Sequence, residues 1–264
     1  MISSPPALQL YTLREQLETI GRKAVLRSVA DFGYGAVEPY DTLTDPEQLR
    51  ADLDEAGLAV CSVHAKILDG EGEAMLRGAR ALGAGTVIVP WADPARFADS
   101  EAVAVLAGEL NEAAVKLADL GLRLGYHNHD FELSSIVGGR PALELLADAL
   151  DPAVILEVDT YWAAVGGQDV PALLRRLGDR VRYLHVKDGP IGTREGDMMV
   201  AVGSGRMPVA EVLAACPSAE WHVVELDRCA TDMMTAVGDS LAWLAAHGLA
   251  DPVRPQAAEH PGGA

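Results

Sequence analysis

Eight times along this chain a short apolar run rich in Val, Ile and Leu is followed by a longer stretch whose apolar residues recur at helical spacing. The spacing predicts strands over residues 7–12, 35–40, 58–67, 86–91, 122–126, 154–158, 181–186 and 221–226. Helices are predicted over 14–32, 45–56, 71–82, 100–120, 141–150, 171–177, 209–215 and 233–247. Gly57, Gly83 and Gly121 fall just past helices, where a left-handed residue ends the turn. Ser100 is the expected N-cap of the fourth helix. Strands of this buried type, each returning through a helix, pair in parallel, because parallel neighbours need a crossover. The prediction is a single (β/α)8 TIM barrel over 1–250, with a Pro- and Gly-rich tail over 251–264 expected to be disordered. A doubly wound open sheet is the alternative, but no GxGxxG and no P-loop follows any strand.

The charge balance limits the partners. With 21 Lys and Arg against 39 Asp and Glu, the formal net charge is −18. That is the wrong sign for a phosphate backbone or an anionic membrane surface, so neither nucleic acid nor membrane is expected to bind. Cys61, Cys216 and Cys229 are far apart and show no CxxC spacing, which reads as reduced thiols. No signal-type N-terminus and no run of membrane-spanning length is found, so the expectation is a soluble, cytoplasmic protein, with a homo-oligomer left open.

The densest chemistry lies at the end of the fifth predicted strand, where His127, Asn128, His129, Asp130 and Glu132 fall within six residues. Alternation along a strand puts His127 and His129 on the same side. Two imidazoles there suit a divalent metal, although histidines that only hydrogen-bond would look the same. In a barrel the chemistry gathers where the strands end. The polar residues at those ends are Glu38, His64, Lys66, His127, His129, Asp159, His185, Lys187, Glu225 and Asp227. Imidazole and carboxylate donors from neighbouring strands could converge over the barrel mouth, a mixture that suits manganese, zinc or cobalt.

The segments Gln9-Leu10-Tyr11-Thr12-Leu13-Arg14, Tyr126-His127-Asn128-His129-Asp130-Phe131-Glu132, Val158-Asp159-Thr160-Tyr161-Trp162, Leu184-His185-Val186-Lys187-Asp188-Gly189 and Val224-Glu225 resemble the sugar phosphate isomerase/epimerase family. This is a branch of the xylose-isomerase-like barrel superfamily, which also includes inosose dehydratase and the endonuclease IV type. The resemblance runs from Leu8 to about Leu244. It implies a divalent ion, manganese first and zinc, cobalt or magnesium as alternatives, held by one ligand each from strands five to eight. The last three ligands fall on Asp159, His185 and Glu225. The family's strand-five glutamate falls on His127, which keeps a donor and loses a carboxylate.

The function expected is a metal-dependent isomerase or epimerase of a sugar or keto-sugar acting through an enediolate. Glu225 is the expected base, with His129 or Glu132 next. His64, Lys66, Trp162 and Lys187 are expected to bind the substrate. The missing strand-five carboxylate gives weight to an alternative, a dehydratase or lyase acting on a keto-glycoside or inosose. An abasic-site endonuclease and a non-catalytic sugar-binding barrel are further alternatives; the acidic charge weighs against the first. Gly203-Ser204-Gly205, in the loop over 189–208, could supply phosphate-binding amides, but the loop carries few cations. A neutral substrate is therefore expected, with the glycine-rich loop moving as a lid.

Overall fold

The computed structural model describes residues 6–70, 72–192 and 197–253. Its wall is a ring of parallel strands: β1 (Pro6–Gln9), β2 (Ala36–Glu38), β3 (Ala59–Val60, resuming as Val63–His64), β4 (Thr86–Val89), β5 (Arg123–His127), β6 (Ile155–Asp159), β7 (Val181–Val186) and β8 (Trp221–Val224). Neighbours in sequence are neighbours in the ring, and β1 pairs with both β2 and β8. The ring closes through β3. Its first half aligns Ala59 with Ala36 of β2, and its second half aligns Val63 with Val87 of β4. The backbone stays satisfied across the interruption: Cys61 N–H donates to Val37 O at 3.1 Å and His64 N–H to Pro39 O at 2.9 Å. The (β/α)8 architecture is therefore as expected, with β3 broken where one long strand was predicted.

The helices depart from the predicted pattern in a few places, each for a local reason. The helix expected over 14–32 is two, Arg14–Thr19 and Arg22–Phe32, parted at Gly21 with φ 98°. Residues expected to extend the first strand instead wind into a 3-10 turn, Leu10–Leu13. Helix Ser100–Asp119 is capped by Asp99, whose carboxylate accepts from Ala102 N–H, and not by Ser100. Both residues are good caps, and the path of the chain puts Asp99 at the cap position. Two short helices, Phe131–Ser134 and Thr160–Val165, and the hairpin Ile136–Val137 with Arg140–Pro141 were not predicted. The predicted tail lies, from residue 254, outside the described residues. Among the described residues no helix is long and apolar enough to cross a membrane.

The two faces of the ring do different work. Outward residues such as Leu8, Val37, Val87, Leu124, Leu156, Leu184 and Val224 join the large core shared with the helices. The inward face changes character along the barrel. Ile88, Ile155 and Tyr183 cluster with Trp221, and Ala7, Ala36, Cys61 and Val223 form a second apolar group. Gly125 is required in this floor, since a Cβ there would lie 2.4 Å from Ile88 Cδ1. Two residues further along each strand, on the same face, come Gln9, Glu38, His127, Glu157, His185 and Glu225, all buried. An apolar floor thus carries a polar layer at the C-terminal end.

His222 lies outward on β8, buried, and burial pushes its pKa from 6.5 down to about 4. The unfolded chain takes up this proton near pH 6.5 and the folded chain does not until about pH 4, so acidification across that window favours unfolding. A His222→Gln variant should lose less thermal stability than the wild type between pH 6.5 and 4, by a differential of up to about 3 kcal/mol. Parallel Tm curves for the two proteins would contradict this.

Candidate metal centre

Donor atoms of His127, Asp159, His185 and Glu225 lie within 4.8 Å of one another. They come from the ends of β5, β6 and β7 and the residue after β8. Parallel pairing brings them level: His185 sits opposite Asp159 and Val223, and His127 opposite Glu157. Bonds of about 2.0–2.2 Å place opposed ligands roughly 4 Å apart, so this set is close to the size that one ion needs. The four positions that the sequence comparison assigned to a metal are thus brought together.

Each donor has one side tied down and the other turned to the cluster. Asp159 caps helix Thr160–Val165, with Oδ1 accepting from Trp162 N–H at 2.9 Å, while Oδ2 lies 3.8 Å from His127 Nε2. The cap and the ligand roles are compatible because they use different oxygens. His185 Nδ1 meets Glu225 Oε2 at 2.7 Å and its Nε2 meets Glu38 Oε2 at 2.8 Å. Lys187 Nζ stands 2.8 Å from Asp159 Oδ2, 2.7 Å from Glu225 Oε2 and 3.0 Å from Asp227 Oδ2. Asn128 links β5 to β6, its side-chain oxygen accepting from Asp159 N–H at 3.1 Å.

A second cluster shares His127 and His185 with the first. Glu157 Oε2 is 2.7 Å from His64 Nε2, 3.1 Å from His127 Nδ1 and 3.2 Å from His185 Nε2. Gln9 Nε2 and Ser62 Oγ both donate to Glu38. His64, His127, Glu157 and His185 also fall within 4.8 Å of one another, but here the contacts converge on one carboxylate oxygen at hydrogen-bond length. The outer set opens to solvent through His127 and Glu225, which line the cavity above it. That outer set is the one suited to an exchangeable ion and a substrate. Glu157 was missed from the sequence as a site residue, although the two-residue period from Asp159 places it on the same inward face.

Proton affinities divide the three rings. Burial works against protonating His64, but Glu38 and Glu157 outweigh it and raise its pKa to about 10. His185 goes the same way, burial being overcome by Glu157 and Glu225. Burial, reinforced by the charge of His185, holds His127 well below its ordinary value, so its ring is neutral. Burial raises Asp159 to about 6 against the pull of Lys187. Glu157 is held at about 2: burial and Glu38 push it up, and His185 and His64 bring it down. A neutral imidazole beside an excess of buried carboxylates fits a divalent cation.

The cavity over the centre is about 940 Å³, within the usual range for a small-molecule site. His64, Lys66, His129, Trp162 and Lys187 line it, as do Trp91, Tyr11 and Arg14. Lys66 Nζ stands 5.5 Å from the centre of the Trp91 ring. Trp162 is mostly buried and its Nε1–H donates to Asp227 at 3.0 Å. The His129 ring meets that of His127 edge-on at 5.2 Å but belongs to neither donor cluster. Glu132 corrects the sequence expectation. It is fully buried and does not line the cavity; Oε1 accepts from the Tyr126 hydroxyl and Oε2 from His129 N–H, both at 2.8 Å. It fastens the turn after β5.

Residues 26–247 match the family model described as the xylose isomerase-like TIM barrel. Over 192 residues the chain is 31% identical to an inosose dehydratase of Geobacillus kaustophilus (strain HTA426), which covers 62% of this chain. The match spans 61% of that relative's length. A sugar phosphate isomerase/epimerase structure from Parabacteroides distasonis ATCC 8503 superposes with a TM-score of 0.79 at 22% identity, over 94% of this chain and 96% of the other. The structure of an IOLI protein with a zinc atom superposes at 0.67 and 15% identity, over 90% and 95%. At these identities the two structures establish the fold.

The loop after β7 departs from its expected roles. Asp188 turns its carboxylate into the amides proposed for phosphate: Oδ2 accepts from Gly203 and Gly205 N–H at 2.9 and 3.0 Å, and Oδ1 from Gly189 and Met207 N–H at 2.8 and 3.0 Å. A Cβ on Gly203 would lie 2.2 Å from Trp243, and one on Gly205 2.1 Å from Asp188. These two glycines serve close packing, and none of the loop's described residues lines the cavity. Arg194 and Glu195 lie outside the described residues. Asp188→Ala leaves four amides without their acceptor and should lower stability by on the order of 3 kcal/mol, read as a shift in the urea midpoint. An unchanged midpoint would show that water replaces the carboxylate at no cost.

Proposed function

This chain belongs to the xylose isomerase-like TIM barrel family, and from that premise we propose that it is a divalent-metal-dependent enzyme that removes the proton beside the carbonyl of a keto-sugar or keto-cyclitol. Isomerisation, epimerisation and dehydration of such compounds share this step. The observation that carries the proposal is the convergence of His127, Asp159, His185 and Glu225 beside a cavity that His127 and Glu225 line. A divalent ion held there would polarise the carbonyl and offset the negative charge that develops on its oxygen. Manganese remains the first expectation, and the zinc atom of the IOLI protein makes zinc the second.

Glu225 is the donor-set carboxylate on the cavity wall, a position that supports it as the group that abstracts the proton. Lys187, held among three carboxylates, keeps its ammonium charge at the cavity lining, close enough to attract a substrate oxygen. His64, Lys66 and Trp162 bind hydroxyls and the apolar face of the sugar, and His129 moves a proton at the wall. A neutral substrate accords with the filling of the loop amides by Asp188.

One feature favours dehydration over epimerisation. Epimerisation works on both faces of a carbon and is served by two opposed carboxylates. Here β5 ends in His127, and the other carboxylate near Glu225 on the wall, Asp227, is bound to Lys187 and Trp162. The similarity to an inosose dehydratase supports the same outcome.

Metal analysis should find one equivalent in the wild type, and Asp159→Ala should lose it. Glu225→Gln should retain much of the metal through its amide oxygen. Its proton–deuterium exchange beside the carbonyl, followed by NMR over a panel of ketoses and inososes, should fall at least about 100-fold. Undiminished exchange would move the base elsewhere. Mass analysis separates the outcomes: a product lighter by one water supports dehydration, and an isobaric product supports isomerisation or epimerisation. A large kcat/KM preference for a phosphate ester over the neutral sugar would overturn the assignment of a neutral substrate.

A further inference from the structure

We propose that Glu157 is a positioning residue that selects which nitrogen of His127 faces the metal centre, and so allows an imidazole to serve as the ligand at the end of β5. The inference rests on the metal-centre reading above and deepens it. Glu157 is completely buried on β6, one inward position before Asp159 and opposite His127 on β5. Its Oε2 stands 3.1 Å from His127 Nδ1. A neutral imidazole carries its proton on one nitrogen and a lone pair on the other. A carboxylate oxygen at Nδ1 accepts the N–H there and leaves the lone pair on Nε2. Nε2 is the atom turned towards Asp159 Oδ2, 3.8 Å away, inside the donor cluster. The tautomer that Glu157 enforces is therefore the one that the donor set needs.

The dependence is specific to His127. His185 also touches Glu157, at 3.2 Å, but its Nε2 lies closer to Glu38, at 2.8 Å, and its Nδ1 faces Glu225. Glu38 can hold that ring alone. Among the described residues, the ion pairs give His127 Nδ1 no carboxylate other than Glu157. Charge points the same way. An imidazole brings no negative charge to the ion, and a carboxylate behind the ring, on the side away from the ion, makes the ring a stronger donor.

The probe is Zn2+ alone, titrated calorimetrically into the metal-stripped full chain, with folding checked by circular dichroism. The wild type should bind one equivalent; failure to bind would overturn both the centre and the present inference. Glu157→Gln should bind Zn2+ about 10–100-fold more weakly. Wild-type affinity in that variant would overturn the positioning role while leaving the centre standing. A second pair of variants removes the dependence on tautomer. In a His127→Glu background the ligand is a carboxylate with no ring proton to direct, so adding Glu157→Gln should cost little affinity or restore some by relieving like charge. A loss as large as that in the His127 background would overturn the inference. A readout independent of any variant is long-range 1H–15N NMR of the Zn2+-loaded wild type. His127 protonated at Nδ1 and bound through Nε2 supports the proposal, and the opposite assignment overturns it.

Discussion

Glu38, Glu157, Asp159 and Glu225 are buried at neighbouring levels inside one barrel, and such charges repel unless cations stand between them. His64, His185 and Lys187 do so at contact distance. The rest of the upper barrel follows from this arrangement. Strands of a closed parallel ring bring their inward residues to common levels, so a carboxylate on one strand is faced by groups from its neighbours whatever their separation in sequence. Glu38 and His185 are far apart in the chain and 2.8 Å apart in space. Removing one partner leaves a buried charge uncompensated, so the polar layer stands or falls together. The apolar floor of Ile88, Ile155, Tyr183 and Trp221 keeps that layer dry from below.

The three rings around Glu157 show how position outweighs residue type. His64 touches two carboxylates and His185 three, and protonation is favoured strongly enough to overcome burial. His127 touches Glu157 but lies against the charged His185, with ring centres 4.5 Å apart, and stays neutral. Residues of one kind at one oxygen thereby hold different proton states. A cation entering above would meet one ring already prepared as a ligand and another, His185, that must first give up a proton, so metal uptake releases protons.

Much of this was legible in the sequence because parallel sheets leave a strong record. Strands buried on both faces read as apolar runs, and Gly57 and Gly121 mark helix ends because their positive φ values suit glycine. Strand ends meeting at one mouth offered ten polar candidates, and the family resemblance singled out His127, Asp159, His185 and Glu225 among them. What stayed hidden depends on competition among local alternatives. Asp99 and Ser100 are both good caps, and only the path of the chain decides between them. Glu132 sits in a histidine-rich segment that reads as chemistry, yet the turn after β5 points its carboxylate at Tyr126 and a backbone amide. Glu157 carried a signal, its two-residue offset from Asp159, but an acid inside an apolar strand shows its purpose only once the opposing imidazoles are in place.

Asp188 has a consequence for how such barrels diverge. Loop amides after a barrel strand form a concave anion receptor, and in this chain the receptor is filled from within by a side chain on the preceding turn. The carboxylate serves as a tethered ligand, present at an effective concentration that no free anion could match. The loop is therefore folded around its own counter-anion and blind to soluble ones. A lineage that lost this aspartate and retained the backbone path would inherit an unoccupied anion cradle in the loop after β7.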